Sequence, residues 1–215
     1  MFLNFTGEES KNGADPSMLK RIGVLSLPGT FRGNKADGKI LRDLPCPAVQ
    51  VQQKEDLDNI HGLIIEGWDI PVSPSLPEDF GERIKELAKM DFPVFGIGFG
   101  ILVLGKNPQD KKQSSLAIMD ISISKEVSFC KEVAPTEKKE GFLTVPALSK
   151  EPIKALFWEK LYIQEIAPNV GILAEYSGKI VFVRQGNMLA CAFYPLSPAK
   201  EGIYRYFLEI VNGHL

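Results

Sequence analysis

The residue types best suited to chemistry fall in two turns. Phe95-Gly96-Ile97-Gly98-Phe99-Gly100 closes a short apolar run and leads into Ile101-Leu102-Val103-Leu104. Strand, tight glycine turn and helix in that order make a nucleophile elbow, where one residue is held strained at the apex to attack a carbonyl. Such an apex carries Cys or Ser, activated by an imidazole supplied from elsewhere in the chain. Here the apex is Gly98, which has no side chain. The second turn, Ile65-Glu66-Gly67-Trp68-Asp69, offers two carboxylates and an indole. Open α/β sheets bind ligands beyond the carboxyl ends of their strands, which is where both turns belong. The plain alternative is a tight turn kept small for packing. Gly-x-Gly-x-Gly also lacks the Gly-x-Gly-x-x-Gly spacing of a dinucleotide site, so no cofactor is implied.

Thiols and imidazoles are few. Cys46, Cys130 and Cys191 are widely spaced without a Cys-x-x-Cys pair, which excludes a disulfide framework and a thiolate zinc site. His61 and His214 form no His-Glu-x-x-His pair, and no metal site is expected. Cys191 lies in an alternating apolar strand and reads as a small core residue.

The elements that must position these turns follow from hydrophobic patterning. Arg21–Leu27, Pro47–Val51, Gly62–Ile65 and Pro93–Gly96 are short continuous apolar runs, the pattern of strands buried on both faces. Between them, helices are expected over Asn34–Leu44 and after Pro77, the second with Phe80, Ile84, Leu87 and Ala88 on one face. The polar, proline-punctuated stretch from Trp68 to Pro77 is a loop. Ile118–Ser124, Gly141–Val145, Leu161–Ile166, Gly171–Ala174, Lys179–Arg184 and Met188–Phe193 are further strand candidates. Tyr176-Ser177-Gly178-Lys179 and Gln185-Gly186-Asn187 mark hairpin turns. A last helix, capped by Ser197 with Pro198 at its first position, points Ile203, Phe207, Ile210 and Val211 inward. A β-α-β-β-α-β order predicts a mostly parallel sheet covered by helices on both faces.

Composition bounds the partners. The chain has 215 residues with 44% apolar and 24% charged, enough for a sizeable core. Lys and Arg (25) nearly balance Asp and Glu (27), which argues against nucleic acid or an anionic membrane surface. No apolar run approaches the ~20 residues of a membrane span, and a cytoplasmic setting is expected. Residues 1–20 read as a polar N-terminal extension, and 21–215 as a single domain.

Four motifs carry a resemblance. Gly23-Val24-Leu25, His61-Gly62-Leu63-Ile64-Ile65-Glu66-Gly67, Phe95 to Gly100, and Ala190-Cys191-Ala192-Phe193-Tyr194-Pro195 stand in the order and spacing of the class I glutamine amidotransferases. Within that class, the chain from Arg21 to Leu215 most resembles the glutaminase subunit of pyridoxal phosphate synthase. The resemblance implies a three-layer flavodoxin-like α/β fold, a mostly parallel central sheet with helices on both faces and extra antiparallel strands. It also implies glutamine hydrolysis through an elbow Cys, a His-x-Glu pair and an oxyanion-hole glycine. At the matching positions this chain has Gly98 for the Cys, Tyr194 for the His and Leu196 for the Glu. In the oxyanion loop Trp68 replaces the second Gly, and Asp69, followed by Ile70, replaces the glutamine-binding Glu and its Ser. Pro28 stands for a Gln, Lys125 for a substrate-holding Arg, and Glu159-Lys160-Leu161 for an Arg-Ala-Pro run.

Glycine offers no sulfur, and losing the nucleophile of a comparable triad costs about 10⁶-fold in turnover. A phenol, with pKa about 10 against about 6.5 for imidazole, is no general base at neutral pH. Glutaminase activity of the family kind is therefore not expected. Three readings follow. First is a non-catalytic protein that keeps a partner surface, for the barrel subunit of pyridoxal phosphate synthase or for self-association. Second is a small-molecule or anion-binding module at Gly98, Trp68 and Tyr194, using the backbone N–H groups of Phe99, Gly100 and Ile101 with Asp69 and Lys125 nearby. Third is an enzyme of different chemistry built on Glu66, Asp69 or Tyr194. Against all three stands a bland reading: Trp68 and Tyr194 pack together, and Glu66 and Asp69 are solvated.

Overall fold

The run Ile22–Ser26 forms β1, and Lys39–Asp43 forms α1, in the structure, a computed structural model that describes residues 20–27, 39–67, 76, 78–106, 115–124, 137–196 and 199–215. Then come β2 (Ala48–Gln50), a 3₁₀ turn (Lys54–Asn59), β3 (Gly62–Gly67), α2 (Glu78–Lys89), β4 (Val94–Gly98) and α3 (Ile101–Leu104). The later part holds β5 (Ile121–Ile123), β6 (Lys138–Leu143), β7 (Ile153–Trp158), β8 (Ile163–Ile166) and β9 (Gly171–Tyr176). It ends with β10 (Lys179–Gln185), β11 (Met188–Cys191), β12 (Phe193–Pro195) and α4 (Ala199–Val211). The N-terminal extension up to residue 19, the caps Ser197 and Pro198, and most of the Trp68–Pro77 loop lie outside the described residues.

The main sheet runs β2-β1-β3-β4-β11-β10-β8-β5, with β9 also paired to β10. Its first five strands are mutually parallel and the remainder antiparallel. β1 connects leftward to β2 through α1, and β3 connects rightward to β4 through α2. Right-handed crossovers in opposite directions place the two helices on opposite faces. The strand order therefore reverses between β1 and β3, and the crevice at their carboxyl ends is the topological switch point.

The apolar strands became the core because helices cover both their faces: Ile22, Leu63, Ile64, Ile65, Val94, Phe95 and Ile97 are all buried. α2 buries Phe80, Ile84 and Leu87, and α4 buries Ile203, Phe207 and Ile210. Phe95 lies between Phe207, 5.4 Å away, and Phe182 at 6.3 Å.

Three expectations need correction. The strand expected over Met188–Phe193 breaks at Ala192, where the chain leaves the main sheet and β12 enters a separate sheet of order β12-β7-β6. The strand expected over Gly141–Val145 starts earlier, at Lys138, because it pairs with β7 and stops where Leu143 faces Ile153. β7 itself has no counterpart among the expected strands; Pro152 precedes it and Lys154 interrupts its apolar run. The two hairpins stand. Ser177 and Gly178 both have positive φ (51° and 73°), as a type I′ turn requires.

Phe95→Ala, which empties the space beside Phe207 and Phe182, is expected to lower unfolding stability by about 3–5 kcal/mol in urea titration.

Candidate functional site

Residues of β1, β3 and β4 converge at the switch point. Ser26 and Glu66 face each other in the parallel register, and Ser26 Oγ donates to Glu66 Oε1 at 2.8 Å. Glu66 is 5% exposed, so the expectation of a solvated carboxylate fails: it is buried and hydrogen-bonded to Ser26. One residue on, Gly67 pairs with Gly98.

The turn after β4 has the geometry of an elbow. Gly98 has φ +57°, the left-handed region that a glycine enters without penalty. The N–H that follows the apex in an active elbow faces the substrate oxyanion. Here the Phe99 N–H donates to Gly67 O at 2.9 Å and the Gly100 N–H to Ile97 O at 3.0 Å. Two of the three donors on which an anion reading relies, those of Phe99 and Gly100, are thus spent inside the protein, and α3 is a single turn of four residues. Phe99 itself is buried, its ring edge-on to Trp158 at 5.3 Å. A Cβ added at Gly98 would stand 2.5 Å from Gly67 O and 3.2 Å from the Trp158 ring. Trp158, at the end of β7, covers the apex from the small sheet. Nothing in the sequence distinguishes it.

The residue at the histidine position is tied down on another side. Tyr194 lies on β12 opposite Leu156 of β7. Burial raises its phenol well above the ordinary range; the carboxylates of Glu66 and Asp43 add to this, and the neighbouring Tyr204 hydroxyl offsets it in part. Tyr204 is raised in the same direction, by burial first and then by Tyr194, Glu66 and Asp43. Lys200 Nζ is 5.7 Å from the Tyr194 ring centroid and bonds Asp43 Oδ2 at 2.9 Å, joining the start of α4 to the end of α1. Ser26, Glu66, Tyr194, Tyr204, Lys200 and Asp43 thus form a largely buried polar cluster. Leu196 continues beside β7, its N–H donating to Lys154 O at 3.0 Å.

Other candidates lie apart. Trp68, Asp69 and Lys125 are outside the described residues. Cys191 pairs in register with Ile97 but is fully buried; burial raises its thiol far above the usual range, although its sulfur donates to Phe193 O at 3.2 Å. It is the core residue that the strand pattern suggested. His61 precedes β3 at the opposite end of the sheet, and its Nδ1 accepts the Arg21 N–H. Among the described residues no group of His, Cys, Asp and Glu is arranged to hold a metal, and no helix is long and apolar enough to cross a membrane.

The parallel sheet, its switch point and the glycine elbow define the class I glutamine amidotransferase fold. A crystal structure described as a glutamine amidotransferase superposes with a TM-score of 0.72 at 22% identity, over 89% of this chain and 98% of that one. The structure of PurLQS from Thermotoga maritima gives 0.57 at 15% identity, over 92% of this chain and 99% of the matched one. The chain belongs to the SNO glutamine amidotransferase family, matched over residues 24–213. Its relatives include proteins named pyridoxal 5′-phosphate synthase subunit PdxT. That of Pelotomaculum thermopropionicum is 36% identical over 88% of this chain and 94% of its own. That of Moorella thermoacetica is 34% identical over 89% and 100%.

The raised phenols have a consequence at alkaline pH. Above the unfolded phenol pKa of about 10 the unfolded chain loses protons that native Tyr194 and Tyr204 retain, so stability falls as pH rises. The expected slope is up to about 1.4 kcal/mol per pH unit for each phenol. Urea unfolding across this range, compared with Tyr194→Phe, measures it; the variant should show the shallower decline.

Proposed function

We propose that this chain is a non-catalytic member of its family that acts by binding a protein partner, the other subunit of a pyridoxal phosphate synthase. The observation that carries the reading is at the elbow: the apex is Gly98, and the N–H that would hold an oxyanion is donated to Gly67 O. Acyl transfer from glutamine needs a nucleophile and a donor for the developing negative charge. The first has no atom here and the second is already bonded. The base position supports the same reading, because a buried Tyr194 raised above the ordinary phenol range neither accepts a proton at neutral pH nor ionises to attack.

Partner binding rests on what is kept. The relatives are named as subunits of a synthase, and this chain matches nearly their whole length. A fold maintained across that length, with its chemical positions replaced by packed residues, fits a role in assembly better than one in catalysis.

Glutamate and ammonia release from glutamine, with and without the synthase subunit of the same organism, tests both halves. The expected result is no release above buffer and co-elution of the two proteins in size-exclusion chromatography. Ammonia production abolished by Tyr194→Phe overturns the non-catalytic reading, and failure to co-elute overturns the partner. Gly98→Cys alone should remain inactive, since its Cβ meets Gly67 O and the Trp158 ring.

A further inference from the structure

A cleft of about 430 Å³ opens between the small sheet and the β9–β10 hairpin. That size lies within the range of small-molecule sites, about 300–1,000 Å³. Trp158 and Leu161, both buried, line it on the inside, and Tyr162 and Tyr176 stand at its sides. Tyr176 is stacked on Phe157 with centroids 3.8 Å apart and planes within 4° of parallel. The Tyr176 hydroxyl occupies the space that a Cβ on Gly141 would need, so the glycine lets the ring lie flat against β6. The Tyr176 ring is therefore held in place by Phe157 and β6.

The charge at the cleft is mainly positive. Three lysines line it, Lys138, Lys139 and Lys179, against Glu137 and Glu159. Lys179 is partly exposed, and its two described contacts are neutral groups: Nζ donates to Glu159 O at 3.1 Å and lies 4.3 Å from the Tyr162 ring centroid. A carbonyl and an aromatic face orient an ammonium without cancelling its charge.

We infer that this cleft binds a small planar organic anion, its flat body against the tyrosine walls and its acidic group at Lys179. Flat aromatic walls favour a ring over a branched aliphatic body, and an ammonium without a described carboxylate partner favours an anion over a neutral isostere. The site is separate from the crevice at Gly98, yet Trp158 borders both: its ring covers the elbow apex and also lines the cleft. Trp158 is therefore the side chain through which occupancy would reach the elbow.

The probe is 1-naphthalenesulfonate, with 1-naphthalenemethanol as the uncharged control and methanesulfonate as the control without a ring. Binding is followed by amide chemical shifts of the full chain, without glutamine or a partner. The expected result is saturable binding at one site, with shifts in β7, β9 and β10 that spread to Gly98 and Phe99. Both controls and Lys179→Met should bind at least about ten-fold more weakly, a difference of about 1.4 kcal/mol. Lys139→Met reads the same charge dependence if Lys179→Met alters the melting temperature. Shifts elsewhere, equal binding of the alcohol, or affinity indifferent to both lysines would overturn the assignment. The outcome is independent of whether the chain hydrolyses glutamine or binds a synthase.

Discussion

The turn after β4 presses against β3 so closely that backbone meets backbone. A Cβ at Gly100 would run into the Ile65 carbonyl, and Gly67 and Gly98 are register partners with no side chain between them. That approach lets the Phe99 N–H reach Gly67 O and sets the direction in which α3 leaves the sheet. In an elbow with a nucleophile, the same close approach aims an atom outward. Here it produces a sealed junction, with Trp158 and Phe99 filling the space above it. The packing of the two central strands depends on the shape of this turn whether or not its apex carries a reactive atom.

The polar cluster beside the junction shows how the replaced positions are accommodated. Tyr194 is buried, and its ring adjoins Lys200, which is itself paired with Asp43. Buried polar groups are costly unless each finds a partner. Ser26 for Glu66 and Asp43 for Lys200 meet that requirement, while the buried Tyr204 hydroxyl beside Tyr194 has no hydrogen-bond partner among the described residues. These contacts lie at the carboxyl ends of the strands, where sheets of this type usually bind ligands.

Much of the frame is legible in the sequence. β1, β3 and β4 are buried on both faces and so read as unbroken apolar runs. The hairpin at Ser177-Gly178 is legible because a I′ turn demands positive φ at two adjacent positions. The elbow is legible from its glycines. β7 is obscured by Lys154, whose Nζ pairs with Glu140 of β6 at 2.6 Å. The break at Ala192 leaves no hydropathy signal, since Cys191 and Phe193 are equally buried although they belong to different sheets. The polar cluster is least accessible. Asp43 and Lys200 are 157 positions apart, and nothing local to either announces the pair. Glu66 reads as a surface carboxylate because its burial depends on Ser26, a residue on another strand.

The change of sheet at Ala192 has a mechanical meaning. A single residue separates β11, inside the parallel core, from β12, inside the small sheet, and the Ala192 N–H is itself held by Val181 O at 2.7 Å. The short, hydrogen-bonded link ties the end of the small sheet directly to the main one. Force applied to β6 and β7 from outside passes directly into β11 and from there to β4. Strain on one sheet at this point is therefore felt by the other within a single residue.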